Sequence, residues 1–503
     1  MAVGSSYHYF RDESPLSDKK PMSNRINWLL LINAALGSFL AGTASRIFAV
    51  SLPTVARGLD TTIVGISWAV ISFQISTISL SMIFGRLGDI YGRQKIFGLG
   101  FLISALGAGF CGLSQNVVQL ILFRFLQGIG ASMTQSQARA LAMDSLSKES
   151  AGKAQGFMTT AFHSGVLIGP SVGGLIIDYI QWRAVFFFLV PIALTGVILT
   201  AINLRRGNEG NVFVPPDKGT AVDYLGAALL ILTTIVLIAI IDYRIMEIIG
   251  SGRRFVIIAI FAALFLGFLY REYTAAAPIV DLSLFRIRMF TLSCLSLLMV
   301  GATQAMVGFV LPFYLQDILH LSPSFMGLLF ISAPIFTVTL SPVAGWITDK
   351  VGPRLPASAG ILVLVMSALL GGFLRTDSHW TFAVVVLALW GLATALFYPP
   401  NHTAMIGSVP AEHRGVATGA VYVMFGLGNT FGISMGTLLL TAAFRYYSGD
   451  PTATPTPGNP IVFVNATNVA FFVSAIIGLV AVSCSLMRGK EKAMRTTAVA
   501  QTS

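Results

Sequence analysis

Charge is what this chain has least of. Only 11% of its 503 residues are Asp, Glu, Lys or Arg, against about 25% in an ordinary soluble domain. So few polar groups could not cover a soluble fold of that length, which excludes a cytosolic enzyme and a secreted scaffold. Cysteine is scarce too: Cys111, Cys294 and Cys484 each fall in an apolar stretch, without disulfide, redox or metal spacing. No HExxH, nucleotide-binding loop or Cys–His cluster occurs, so no enzyme activity, cofactor or metal is expected. The net charge of +11 comes from cations scattered singly between apolar segments, which argues against nucleic acid as a partner. Residues 1–25 are polar, carry Asp12, Glu13 and Asp18, and lack the apolar core of a signal peptide.

What abounds is apolar. Hydrophobic residues make up 55% of the chain, and the mean hydropathy is +0.78. The excess must face lipid, so the bilayer is the expected surrounding. Runs long enough to cross about 30 Å of hydrocarbon lie at 28–54, 63–84, 95–113, 117–138, 155–178, 183–204, 223–242, 255–270, 289–316, 323–346, 355–375, 381–403, 415–443 and 464–487. The expected fold is an all-α membrane protein of fourteen transmembrane helices. An even number of spans puts both termini on one side. With the N-terminus inside, the outer loops hold only Arg57, Arg183, Arg244, Arg253, Arg254, Arg375 and Arg445, and most other cations are inner. The positive-inside rule therefore makes both termini cytoplasmic, in a plasma membrane, with a bacterial inner membrane as the expected one.

An internal repeat is more specific than the hydropathy. Residues 149–156 read ESAGKAQG and 412–419 read EHRGVATG, both fitting E-x-x-G-x-A-x-G. Beyond them Gly156, Gly165, Gly169 and Gly173 match Gly419, Gly428, Gly432 and Gly436 at an offset of 263. Earlier in each half, Gly85, Asp89 and Gly92 match Gly345, Asp349 and Gly352 at an offset of 260. Two pseudo-symmetric six-helix bundles, 28–204 and 289–487, account for these matches, with a linker of 205–288 carrying two extra helices. Tails of 1–27 and 488–503 flank them. Parallel repeats of this kind are a transporter architecture, with substrate bound near the midplane between the halves.

The segment GRLGDIYGRQK (85–95) joins spans two and three on the inner face. Its glycines permit a sharp turn, and Asp89 can accept N–H bonds near the start of the next helix. Arg93 is a possible partner for Asp89, and Arg354 occupies the repeated segment beside Asp349. The repetition suggests a paired gate. GRLGDIYGRQK resembles the loop motif of the major facilitator superfamily, and LILFRFLQGIGAS (120–132) resembles its Arg-containing fourth-helix motif. Gly156, Gly165, Gly169, Pro170, Gly173 and Gly174 are similar to its antiporter motif. APIVDLSLFRIRMF (277–290) and LPFYLQDILHLSPSFMGLLF (311–330) look like the fourteen-helix drug:proton antiporter branch. The resemblance implies a secondary transporter with alternating access, often exporting drugs or metabolites against protons.

Ala161, Gly165, Gly169 and Gly173 also form a small-residue stripe on helix five by spacing alone, and Pro170 can bend that helix. Tight static packing and a moving seal between halves both fit. One departure from the family bears on mechanism: aligned on Leu52-Pro53, span one has Ala44 where the branch carries Asp. None of the 21 acidic residues falls mid-span, so the desolvated carboxylate that commonly carries a proton is missing. Inside the spans stand Arg46 and Arg124, each roughly 12–15 Å from the outer end, and His163. Gln74, Gln304, Trp390, Tyr398 and Asn401, with Phe397 and His402, are further cavity candidates. The expected function is export of small amphipathic organic molecules, with a proton as the candidate coupling ion and no obligatory protein partner. The alternative is a permease or exchanger for organic anions or metabolites that uses the basic cavity.

Overall fold

The computed structural model describes residues 27–145, 151–206, 223–241, 254–275, 282–410 and 414–489. Most of the two tails and parts of the linker (207–222, 242–253 and 276–281) therefore lie outside the described residues. The first six helices are α1 (Trp28–Gly58), α2 (Ile63–Tyr91), α3 (Arg93–Leu113), α4 (Val117–Asp144), α5 (Ala151–Tyr179) and α6 (Trp182–Arg205). Then follow α7 (Tyr224–Ile241) and α8 (Arg254–Thr274), and after them α9 (Arg288–Phe313). A single crossing is made of α10 (Pro323–Phe330) and α11 (Ser332–Val351), interrupted at Ile331. The chain ends in α12 (Arg354–Gly371), α13 (Trp380–Gly407), α14 (Arg414–Ser448) and α15 (Pro460–Leu486). Among the described residues thirteen crossings are long and apolar enough to span a bilayer, and Tyr224–Ile240 is a shorter apolar helix. The face holding the start of α1 and the end of α15 is called the tail face below; the opposite one is the far face.

Local chemistry explains the boundaries. The side chains of Asn27, Thr62, Ser322 and Asn459 each accept the N–H three residues on, capping α1, α2, α10 and α15. Pro323 and Pro460 occupy first helical positions, where a missing N–H costs nothing. At the far end of α9 the helix passes Pro312 and widens into a π-helical turn, Tyr314–Ile318.

The segment 85–95 is less of a loop than its glycines suggest. Helix α2 runs through Gly85 and Asp89 to Tyr91, and α3 opens at Arg93. Only Gly92 breaks the run, with φ of +100°, a region that L side chains avoid. Gly352, at φ +80°, makes the same break between α11 and α12. Repeated sequence thus gives repeated backbone.

Within each half the helices pack backbone to backbone. A Cβ on Gly165 would sit 2.3 Å from Phe39 O of α1, and one on Gly42 would sit 2.1 Å from Phe162 O of α5. In the second half Gly428 and Gly432 stand 2.2 Å from Leu298 O and Ala302 O of α9 by the same measure. The α5–α1 contact is thus repeated as α14–α9.

Candidate functional site

The stripe of Gly165, Gly169 and Gly173 faces α1 of its own half, which favours static packing over a moving seal. Gly156 lies in α5, in a stretch whose burial is not described. The contact between halves is made by its neighbours instead. A Cβ on Gly174 would meet Pro323 O at 2.2 Å, and one on Gly327 would meet Pro170 O at 2.5 Å. Around this seam the far face is tied by polar bonds that sequence reasoning did not single out. Arg57 of α1 pairs with Asp317. Gln316 donates to Thr54 at 2.7 Å, and the Ser324 N–H donates to Asp178 at 2.8 Å. Asp178 and Asp317 are among the acidic residues that fall outside mid-span, and their partners lie across the two halves.

Toward the tail face the seam between α5 and α11 parts. Val338 and Val343 of α11 are about half exposed, Gly345 has nothing within 4 Å of a Cβ, and Thr160 of α5 is exposed. His163 lies on α5 between this parted stretch and the Pro170–Gly174 contact, half-buried.

Arg46 stands beside that opening. Its guanidinium lies 5.5 Å from the Trp390 ring of α13, across the interface between halves. It is within Coulombic reach of His163 and Tyr398. Trp390 is held from behind by a chain of bonds: Tyr398 Oη donates to Gln304 Oε1 at 2.8 Å, and Gln304 Nε2 donates to Thr394 at 2.9 Å. Thr394 in turn donates to Trp390 O at 2.8 Å. Tyr398 also packs edge-on against Phe397, His402 and Phe425. One guanidinium, a large aromatic face and a phenol are therefore set around the midplane. Trp390 is only 6% exposed in this state, so a planar ligand would stack on it, and pair with Arg46 through a negative or carbonyl oxygen, once its neighbours part.

Arg124 does not join this group, contrary to the matched depths read from the sequence. Only 2% of it is exposed, and its guanidinium lies between the rings of Phe48 (4.7 Å) and Phe73 (4.3 Å). It donates to Ala69 O at 3.3 Å and to Gln127 Oε1 at 2.8 Å. Depth along a helix says nothing of azimuth, and Arg124 points into its own bundle, where it ties α4 to α2. Asn401 is likewise fully buried and directs its amide to Ser293 O of α9, inside the second bundle. Gln74 is half-buried on α2.

The gating residues divide. Gln137 of α4 donates to Phe84 O at 2.6 Å and lies against Gly88, fixing the tail end of α2 to its own half. The Asp89 side chain is outside the described set. Asp349 is exposed, and Lys350 lies 3.7 Å from the Trp346 ring centre. Among the described residues no cluster of His, Cys, Asp or Glu suits a metal ion.

The Major Facilitator Superfamily model matches residues 34–302 and 293–501. The chain is 26% identical to the riboflavin transporter RibZ of Clostridioides difficile, over 93% of this chain and 99% of that protein. It is 27% identical to the multidrug transporter protein MdtP of Bacillus subtilis, over 81% and 74%. Among solved structures it resembles a bacterial homologue of the human lysosomal transporter Spinster in an inward-facing conformation. That match has a TM-score of 0.66 at 14% identity, over 91% of this chain and 96% of the other.

Proposed function

The chain belongs to the Major Facilitator Superfamily, and from that premise we propose that it exports small, planar amphipathic molecules, neutral or anionic, by alternating access. The observation that carries this reading is Arg46 over Trp390 at the midplane, with no acidic residue mid-span in the sequence. A cationic drug would meet a like charge there, whereas an aromatic ring with a carbonyl or acidic oxygen would meet both of its complements. The similarity to a riboflavin transporter and to a multidrug transporter supports planar organic cargo. With the termini cytoplasmic, the parted α5–α11 seam is the cytoplasmic entrance, and His163 beside it is the candidate proton carrier.

The test uses purified protein in liposomes with internal pH followed. Riboflavin, an anionic xanthene dye and ethidium serve as neutral, anionic and cationic probes. Arg46→Gln should weaken the anionic probe about tenfold or more, as expected for a lost charge-assisted bond, and the neutral probe little. Equal loss for all three probes in that variant, or vigorous transport of a permanent dication by the native protein, would overturn the reading. A second reading, a permease or exchanger for organic anions or metabolites, draws on the same unopposed Arg46. It is favoured if anion flux needs a counter-anion rather than a pH gradient.

A further inference from the structure

The tail end of the second bundle holds a cation that the midplane site does not use. Arg488 follows the last turn of α15, yet only 2% of it is exposed. Its Nε, Nη1 and Nη2 are all buried without a hydrogen-bond partner. The Nε of Arg354, the first residue of α12, is buried and unpartnered in the same way. The two lie at one level. Helices α12 and α15 run antiparallel, and the hydroxyls of Ser358 and Ser485 meet at 2.8 Å. Arg354 is four residues to the tail side of that bond and Arg488 three, so the two backbones sit about 6 and about 4.5 Å beyond it. Helix α9 also begins at this face, without a side-chain cap on its first N–H groups, so its end is electropositive.

Among the described residues no hydrogen-bond acceptor answers the Arg488 guanidinium or the Nε of Arg354. Among the described residues the titratable neighbours of Arg488 are two thiols, Cys484 and Cys294. Burial lowers its pKa to about 10, which still leaves it a cation at neutral pH. A buried, unpaired guanidinium is strongly destabilising unless something pairs with it.

The first bundle shows that helix packing does not require this charge. Arg354 corresponds to Gln94 at the offset of 260. Asn203 stands three residues beyond Thr200, which packs on Gly98, as Arg488 stands three beyond Ser485, which meets Ser358. Gln94 and Asn203 are both buried. The same level of the fold therefore holds two neutral amides in one half and two guanidiniums in the other.

We propose that Arg354 and Arg488 bind a phosphate group at the tail end of the second bundle, with an anionic phospholipid of the adjacent leaflet as its source. Guanidinium forks match phosphate oxygens in geometry and charge. Leu355, Leu486 and Met487 expose apolar surface beside the two arginines, where acyl chains can lie.

The full-length protein is placed in nanodiscs of phosphatidylcholine alone, of phosphatidylcholine with phosphatidylglycerol, and of phosphatidylcholine with inorganic phosphate added. Thermal unfolding is followed in each. Phosphatidylglycerol should raise the melting temperature of the native protein, and Arg488→Met and Arg354→Gln should each abolish most of that rise. By native mass spectrometry both variants should bind phosphatidylglycerol about tenfold more weakly. An equal rise with inorganic phosphate keeps the site and assigns it to a soluble anion instead of a lipid. In phosphatidylcholine alone Arg488→Met should be no less stable than the native chain, because it removes an unpaired buried charge. Arg488→Lys, which keeps the charge but loses the fork, should retain part of the lipid response. The same lipid response in the native, Lys and Met forms would overturn the proposal. So would greater stability of Arg488→Met in all three conditions.

Discussion

Two seams join the halves, and the internal repeat makes them equivalent: α5 against α10 and α11, and α14 against α2. They are not in the same state. On α2, Ile83 is only 8% exposed and clusters with Val423 of α14 and Ala227 of α7, whereas its counterpart Val343 on α11 is 48% exposed. Ile78 fills the position of a Cβ on Gly426, at 2.1 Å, whereas Val338, the counterpart of Ile78, is half exposed. The difference follows from what lies beside each seam. Helix α7 packs along both α2 and α14, so Ala227 bridges Ile83 and Val423 near the tail face. Among the described residues no helix covers the α5–α11 seam in this way. Helix α7, which lies outside the repeat, thus makes a symmetric scaffold asymmetric, and the opening to the tail face forms on the uncovered side.

The largest effect should come from the contacts that do not move. Gly165→Leu and Gly428→Leu drive a side chain into backbone oxygens of α1 and α9. Each should cost about 3 kcal/mol or more, seen as loss of folded protein and a lowered unfolding temperature. A normal melting temperature in either variant would show that these stripes are not the fixed part of each half.

Gly174→Leu comes next, because it clashes with Pro323 O across the halves. It should leave thermal stability nearly intact while propping the far face open, with transport down by about tenfold or more. Loss of stability comparable to Gly165→Leu would erase the distinction between packing within a half and sealing between halves. Ala227→Leu should wedge the covered seam and slow transport by about three- to tenfold, read as uptake rate in liposomes. The smallest effect is expected from Asp317→Asn. The Arg57 side chain is 55% exposed and that of Asp317 8%; the substitution removes the more buried charge and leaves the exposed one in water, so its net cost is about 1 kcal/mol or less. Labelling of a far-face cysteine by an impermeant reagent should rise by about fivefold at most.

These contrasts mark how far the sequence could be read. Spans, glycine stripes and the paired breaks at Gly92 and Gly352 were legible because periodicity and backbone demand leave a direct trace in residue type. Azimuth leaves a weaker one. Arg46 and Arg124 share a depth, yet one faces Trp390 across the interface and the other is enclosed by Phe48 and Phe73. Nothing in the spacing of a single helix decides which neighbour a side chain meets. The far-face ties were hidden for a related reason. Arg57 and Asp317 lie 260 residues apart, so only the folded chain pairs them. Pro170 and Gly174 could be read as part of helix five but not assigned to the partner half.

The most direct test places cysteine pairs in both seams of a background lacking Cys111, Cys294 and Cys484. One pair is Ile83→Cys with Val423→Cys, and the other is Thr160→Cys with Val343→Cys. In substrate-free membranes the first pair should cross-link readily. The second should stay uncross-linked, and its thiols should react with an impermeant reagent from the tail face alone. Cross-linking of the second pair with the first left apart, or labelling of Thr160→Cys from the far face, would contradict the account.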